Sequence, residues 1–135
     1  MNALTVSLIC AAGALGALLG ELGRRRRLQP YWQRRCMGFR WRRRFADSSS
    51  VQIREFLSLF CEAFGFWPKR RTLFSPDDRV MDVYRTVYPT GRSATDMLEL
   101  ETFVRSLKKR YGVEVLSFWR EDITLGELYA LVATR

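Results

Sequence analysis

The sequence predicts an all-α protein, in which a small helical bundle is preceded by an N-terminal transmembrane helix and a basic juxtamembrane segment. Three observations support this: an uncharged apolar run near the N-terminus, a block of arginines directly after it, and apolar residues at helical spacing in the remainder. A chain of 135 residues has the size of one ordinary domain. We therefore predict three segments, the transmembrane helix at residues 1–23, the basic segment at 24–46 and the bundle at 47–135.

The uncharged run extends from Ala3 to Gly20. As a helix these residues would span about 27 Å, which is just enough to cross the hydrocarbon core of a bilayer. A cleaved signal peptide would need Lys or Arg before the apolar run, and none is present here. The stronger alternative to a transmembrane helix is therefore a buried helix of a soluble protein. Because arginines mark the cytoplasmic side, we expect a single-pass membrane protein with its N-terminus outside and its C-terminal domain in the cytoplasm. Gly16 and Gly20 form a small-xxx-small pattern that would allow a homodimer of such helices.

The basic segment holds ten arginines and no acidic residue, and it accounts for the net charge of +9. Arginine is attracted to anionic lipid headgroups, and Trp and Tyr concentrate at the membrane interface. The predicted membrane-surface residues are Arg24, Arg25, Arg26, Arg27, Trp32, Arg34, Arg35 and Trp41. The same composition suits a nucleic acid, or a merely solvated linker, but direct continuity with the apolar run favours a membrane with anionic lipids. From Phe74 onward nine basic and ten acidic residues nearly balance, which gives no reason to expect nucleic acid.

The bundle is predicted from capping residues and apolar spacing. A polar turn at 47–50 precedes a helix over 51–66, and residues 68–92 are expected to form a long connection with one helical turn at most. Asp96 and Glu99 form a capping pair for the next helix, which Gly112 ends.

The last helix is predicted from a capping box. Thr124 and Glu127 have the spacing of such a box, and apolar residues follow through Val132. Residues 113–115 should be extended, and a single helical turn is expected within 116–121. The element order predicts a small all-α bundle.

From Phe74 to Val132 this order resembles the acyl carrier protein family. Residues 75–78 (Ser-Pro-Asp-Asp) are similar to the start of the long first loop, 107–115 to the end of the second helix, and 123–128 to the start of the last helix. The resemblance covers about residues 51–133 and implies an acyl-carrier-like bundle. Family members attach phosphopantetheine to the serine of an Asp-Ser-Leu motif, where the helix N-terminus favours a phosphate.

The position of that serine differs here, because the matching tripeptide is Asp96-Met97-Leu98. Methionine has no hydroxyl and cannot form the phosphodiester, so we predict that no cofactor is attached. The alternative is a functional acyl or peptidyl carrier modified at a displaced hydroxyl, Ser93 or Thr95. Using Ser93 would place polar residues on the core face of the helix.

We therefore predict a membrane-anchored, non-catalytic interaction domain, whose protein partner the resemblance assigns to lipid or acyl metabolism. The predicted partner-binding residues are Met97, Leu98, Glu101 and Arg105. The chain contains no histidine, and its three cysteines therefore lack the usual base of a nucleophilic site. The remaining alternative is an anionic-lipid or nucleic-acid binder that acts through the arginine-rich segment, and neither an enzyme nor a metal site is expected.

Overall fold

The computed structural model describes residues 2–89 and 97–134, and over these residues the chain is helical. The prediction of an all-α protein is confirmed at this level, since strand pairing in the described part is limited to one bridge between Arg79 and Thr124. Two 3-10 helices lie at Pro68–Leu73 and Val115–Phe118. The α-helices are α1 (Ala3–Trp32), α2 (Gly38–Arg44), α3 (Ser50–Phe64), α4 (Val80–Val87), α5 (Leu98–Tyr111) and α6 (Leu125–Ala133).

Helix α1 is longer than the apolar run and continues without interruption into the basic segment as far as Trp32. None of its apolar half is buried, and the helix is long and apolar enough to cross a membrane. The second half carries the first four arginines and contacts α4 and the 3-10 helix at Pro68–Leu73. The basic segment therefore begins as part of a helix that belongs to the fold.

Capping side chains fix the starts of α3 and α6. The Ser49 hydroxyl accepts a hydrogen bond from the Gln52 amide, and the Gln52 side chain accepts one from the Ser49 amide. Thr124 and Glu127 make the same reciprocal pair, so the predicted capping box of the last helix is confirmed. Each box satisfies two amides that have no partner within the helix. Gly65, with φ of +68°, ends α3 in the left-handed conformation.

The prediction of at most one helical turn over 68–92 is wrong, because this stretch contains both a 3-10 helix and the two-turn helix α4. The physical reason is a buried stripe at helical spacing, formed by Val80, Val83, Tyr84 and Val87. The third long helix spans Leu98–Tyr111. Asp96 lies outside the described residues, as do Ser93 and Thr95, so the proposed capping pair and the displaced hydroxyls are not described.

The core is rich in aromatic side chains and includes residues of the basic segment. Trp41 is 0% exposed, and its indole Nε1 donates a hydrogen bond of 2.8 Å to the Phe74 carbonyl. The Trp41 ring also packs edge-on against Tyr129. Leu28 from α1 is buried in the same core. Trp41 was expected at the membrane surface, and the structure instead places it inside the bundle, where its large apolar ring gains more from burial than from an interface.

Candidate functional site

Two arginines of α1 fasten this helix to the bundle. The Arg24 guanidinium donates to the carbonyl of Phe64, the last residue of α3, at 2.8 Å. Arg27 donates to the carbonyls of Thr86 and Val87, at the end of α4, at 3.0 and 3.3 Å. Carbonyls at a helix C-terminus have no partner within the helix and carry partial negative charge. Arg24 and Arg27 therefore stabilise the ends of two other helices, a role that the sequence did not indicate.

Arg34 also contacts the bundle. Its Nη1 atom lies 2.6 Å from the Asp78 carboxylate, which in turn accepts a hydrogen bond of 2.7 Å from the Ser75 amide. The hydrogen bond to Asp78 raises the pKa of Arg34. Among the other residues expected at a membrane surface, Trp32 is partly buried, whereas Arg25, Arg26 and Arg35 are exposed.

Residues from outside the basic segment also lie beside the arginines of α1. A cavity of about 260 Å³ lies beside the C-terminal half of α1. Trp67 and Arg70, which follow α3, line it and were not identified from the sequence. Trp67 is 70% exposed, and the Arg70 guanidinium lies 4.3 Å from the ring centre of Trp32. The remaining lining residues are Glu21, Arg24, Arg25, Leu28, Trp32, Gly65 and Phe66.

A second, more apolar groove of about 680 Å³ runs along α5. Three of the predicted partner-binding residues, Met97, Glu101 and Arg105, line it, whereas Leu98 is 60% exposed and is not part of the lining. The residues that sequence reasoning missed are Leu100, Val104, Lys108, Glu114, Leu116 and Trp119. Leu100, Val104 and Lys108 lie on α5 itself. Glu114, Leu116 and Trp119 join the groove through the segment that follows α5.

The charged residues of the groove fall into two groups. Lys108 forms an ion pair of 2.8 Å with Glu114. Glu101 and Arg105, one helical turn apart, form no ion pair with any residue in the described part of the chain. Both side chains are exposed. The groove thus has an apolar floor and, at its rim, one available carboxylate and one available guanidinium.

The start of α5 lies beside the point where the apolar run of α1 ends. Gly20, Glu21 and Arg24 line one cavity together with Pro89 and with Glu99 in the first turn of α5. The Tyr88 hydroxyl donates to the Glu99 carboxylate and ties α5 to the end of α4. Met97 is therefore at the end of the groove that is close to residue 20, and Lys108 is at the far end.

Met97 stands at the N-cap position of α5. Its thioether carries no exchangeable hydrogen, so this position cannot hold phosphopantetheine as an ester. No cluster of three or more Cys, Asp or Glu side chains in the described residues has the arrangement of a metal site. Comparison with models of protein families, with curated proteins and with solved structures gives no match for this chain.

The three cysteines offer a test of the environment of each segment. Cys10 and Cys36 are exposed, whereas Cys61 is buried and burial raises its pKa to about 12. In single-cysteine variants in lipid vesicles at pH 8, we expect a water-soluble maleimide to label Cys36 at least about tenfold faster than Cys61, because the thiolate is the reactive form. Cys10 should be protected in vesicles and become reactive when a denaturing detergent dissolves them. Labelling of Cys10 as fast as that of Cys36 in vesicles would contradict a membrane position for α1.

Proposed function

We propose that this chain is a membrane-anchored, non-catalytic interaction domain, in which α1 lies in the membrane and the groove on α5 binds a helix of another membrane protein. The observation that carries the proposal is the position of the groove. One end of the groove lies at Met97, at the start of α5, and Glu99 in the first turn of α5 lines a cavity together with Gly20, where the apolar run ends.

The chemistry of the groove favours an amphipathic helix as its occupant. The apolar floor, in which Leu116 is 66% exposed, would cover the apolar face of such a helix. A carboxylate on the partner would pair with Arg105 and a cation with Glu101, which complements the two available charges at the rim. Because the groove starts at the membrane end of the domain, a juxtamembrane helix that leaves the same bilayer reaches it without a long linker.

The resemblance to acyl carrier proteins supports a narrower proposal about the partner, namely a membrane protein of lipid or acyl metabolism. That part rests on the sequence resemblance over residues 51–133 alone. We further propose that the domain carries no phosphopantetheine. The intact mass should stay unmodified when the protein is coexpressed with a broad-specificity phosphopantetheinyl transferase. A mass gain that is lost in Ser93→Ala or Thr95→Ala would favour the carrier alternative.

Site-specific photocrosslinking of the full chain in native membranes tests the groove. A photoreactive amino acid at position 116 should form adducts that map to a cytoplasmic helix directly adjoining a transmembrane segment of the partner. Arg105→Glu should lower the yield of these adducts at least about fivefold, because the charge at the rim is reversed.

Lys109→Glu is the matched control, since Lys109 is an exposed cation on the same helix but does not line the groove. This variant should leave the yield unchanged. Equal losses in both variants would contradict recognition through the groove, as would adducts that map only to soluble proteins.

A further inference from the structure

The 260 Å³ cavity described above differs in chemistry from the α5 groove, because three guanidinium groups line it. We propose that this cavity, which we call the arginine pocket, binds the phosphate of a phospholipid headgroup through Arg24, Arg25 and Arg70. The inference rests on the proposed membrane position of α1 but is independent of the α5 groove.

The charge balance of the arginine pocket suits a phosphate. Three guanidinium groups line it against a single carboxylate, that of Glu21, which lies 3.2 Å from Arg25 Nε and 4.0 Å from Arg24 Nη1. About two positive charges therefore remain uncompensated. The Arg24 Nε atom is buried and has no hydrogen-bond acceptor among the described residues. Guanidinium groups bind phosphates with strong, charge-assisted hydrogen bonds.

The depth of the arginine pocket matches the headgroup layer. Arg24 and Arg25 follow Gly20 by four and five residues, which corresponds to about 6–8 Å along the helix axis. The headgroup region on each side of the hydrocarbon core is about 5–8 Å thick. Trp67 lines the same pocket and is largely exposed, as expected for an aromatic ring at a membrane interface. The guanidinium groups thus lie at the level of the lipid phosphates.

A specific pocket and a diffuse attraction to an anionic surface make different predictions. Diffuse attraction depends on the number of cations near the surface, whichever residues carry them. A pocket depends on the residues that line it. Arg42 and Arg43 belong to the same basic segment and are exposed, but they do not line the arginine pocket, so they provide a comparison at equal charge.

The test measures phospholipid bound to the full chain in mild detergent, by quantitative lipid mass spectrometry after refilling with phosphatidylglycerol. The variant Arg25→Gln/Arg70→Gln spares Arg24, which also supports α3, and should raise the dissociation constant about tenfold. The matched variant Arg42→Gln/Arg43→Gln should bind as the unmodified chain does. Equal weakening in the two variants, or none in the first, would overturn the proposal.

Two further measurements are needed. The first distinguishes a lipid phosphate from free phosphate, and the second distinguishes failure of this proposal from failure of the proposed function. Inorganic phosphate titrated into the delipidated protein should bind at least about a hundredfold more weakly than phosphatidylglycerol, because it lacks acyl chains to bury. Equal affinity would overturn a lipid source. Cys10 labelling on the same samples in vesicles shows whether α1 is inserted. Loss of protection there would overturn both proposals, whereas lost crosslinking at position 116 with lipid binding intact would overturn only the groove.

Discussion

Replacing Trp41 with alanine is expected to lower the free energy of unfolding of the bundle by about 4 kcal/mol. The indole is fully buried between α3, α6 and the loop that contains Phe74, and truncation would leave a large cavity. The Phe74 carbonyl would also lose the donor that it has in the Trp41 indole. A domain of this size is stable by only about 5–15 kcal/mol in total. The variant should therefore be close to the limit of folding.

Urea unfolding of the full chain in detergent, followed by far-ultraviolet circular dichroism, measures this effect. Phe39→Ala is the control, because Phe39 lies in the same short helix but is largely exposed. It should change the free energy of unfolding by less than about 0.5 kcal/mol. If Trp41→Ala were equally mild, the basic segment would not be part of the folded bundle in solution.

The second large effect is expected for Asp78→Ala, which should lower the free energy of unfolding by about 2–3 kcal/mol. The Asp78 carboxylate is largely buried and satisfies both the Arg34 guanidinium and the amide of Ser75. Its removal leaves the Ser75 amide without its acceptor, and it leaves the partly buried Arg34 guanidinium with only a long hydrogen bond of 3.4 Å to the Leu73 carbonyl. We place the cost below that of a fully buried ion pair because Arg34 retains some access to water.

The neighbouring Asp77 provides the control for this prediction. Its carboxylate pairs with Arg40 and Arg44 at 3.7 and 3.2 Å but is mainly exposed. Asp77→Ala should therefore cost less than about 1 kcal/mol. A double-mutant cycle between Asp78→Ala and Arg34→Ala should give a coupling of about 1–3 kcal/mol. A coupling near zero would show that the Ser75 turn, and not the ion pair, accounts for the cost.

The long helices were predictable because their signals are local. Thr124 and Glu127 indicate the start of α6 through a spacing of three residues, and Gly65 and Gly112 supply the left-handed conformation at the ends of α3 and α5. Such signals need no knowledge of the tertiary fold. Helix α4 was underestimated although its buried residues have helical spacing. It is only eight residues long and rich in β-branched valine, and its packing against α1 stabilises it.

The role of the basic segment could not be predicted from composition. Leu28 and Trp41 lie among ten arginines, and the same pattern is expected for an interfacial segment and for a cationic segment folded against a core. Arg24 and Arg27 lie about forty and sixty positions in the sequence from the carbonyls that they contact at the helix ends. Likewise, Leu116 and Trp119 join the α5 groove, and Arg70 the arginine pocket, only through the tertiary fold.

The unbroken course of α1 has a mechanical consequence for a chain anchored as proposed. Hydrogen bonds from Arg24 and Arg27 hold α1 against the ends of α3 and α4. We therefore expect the bundle to move together with the apolar half of α1. Membrane helices tilt by about 20° on average, and the angle changes with the thickness of the bilayer. Each change of tilt would swing the bundle through the same angle, lowering one flank towards the lipid and raising the other. Bilayer thickness would thereby control which flank a partner can reach.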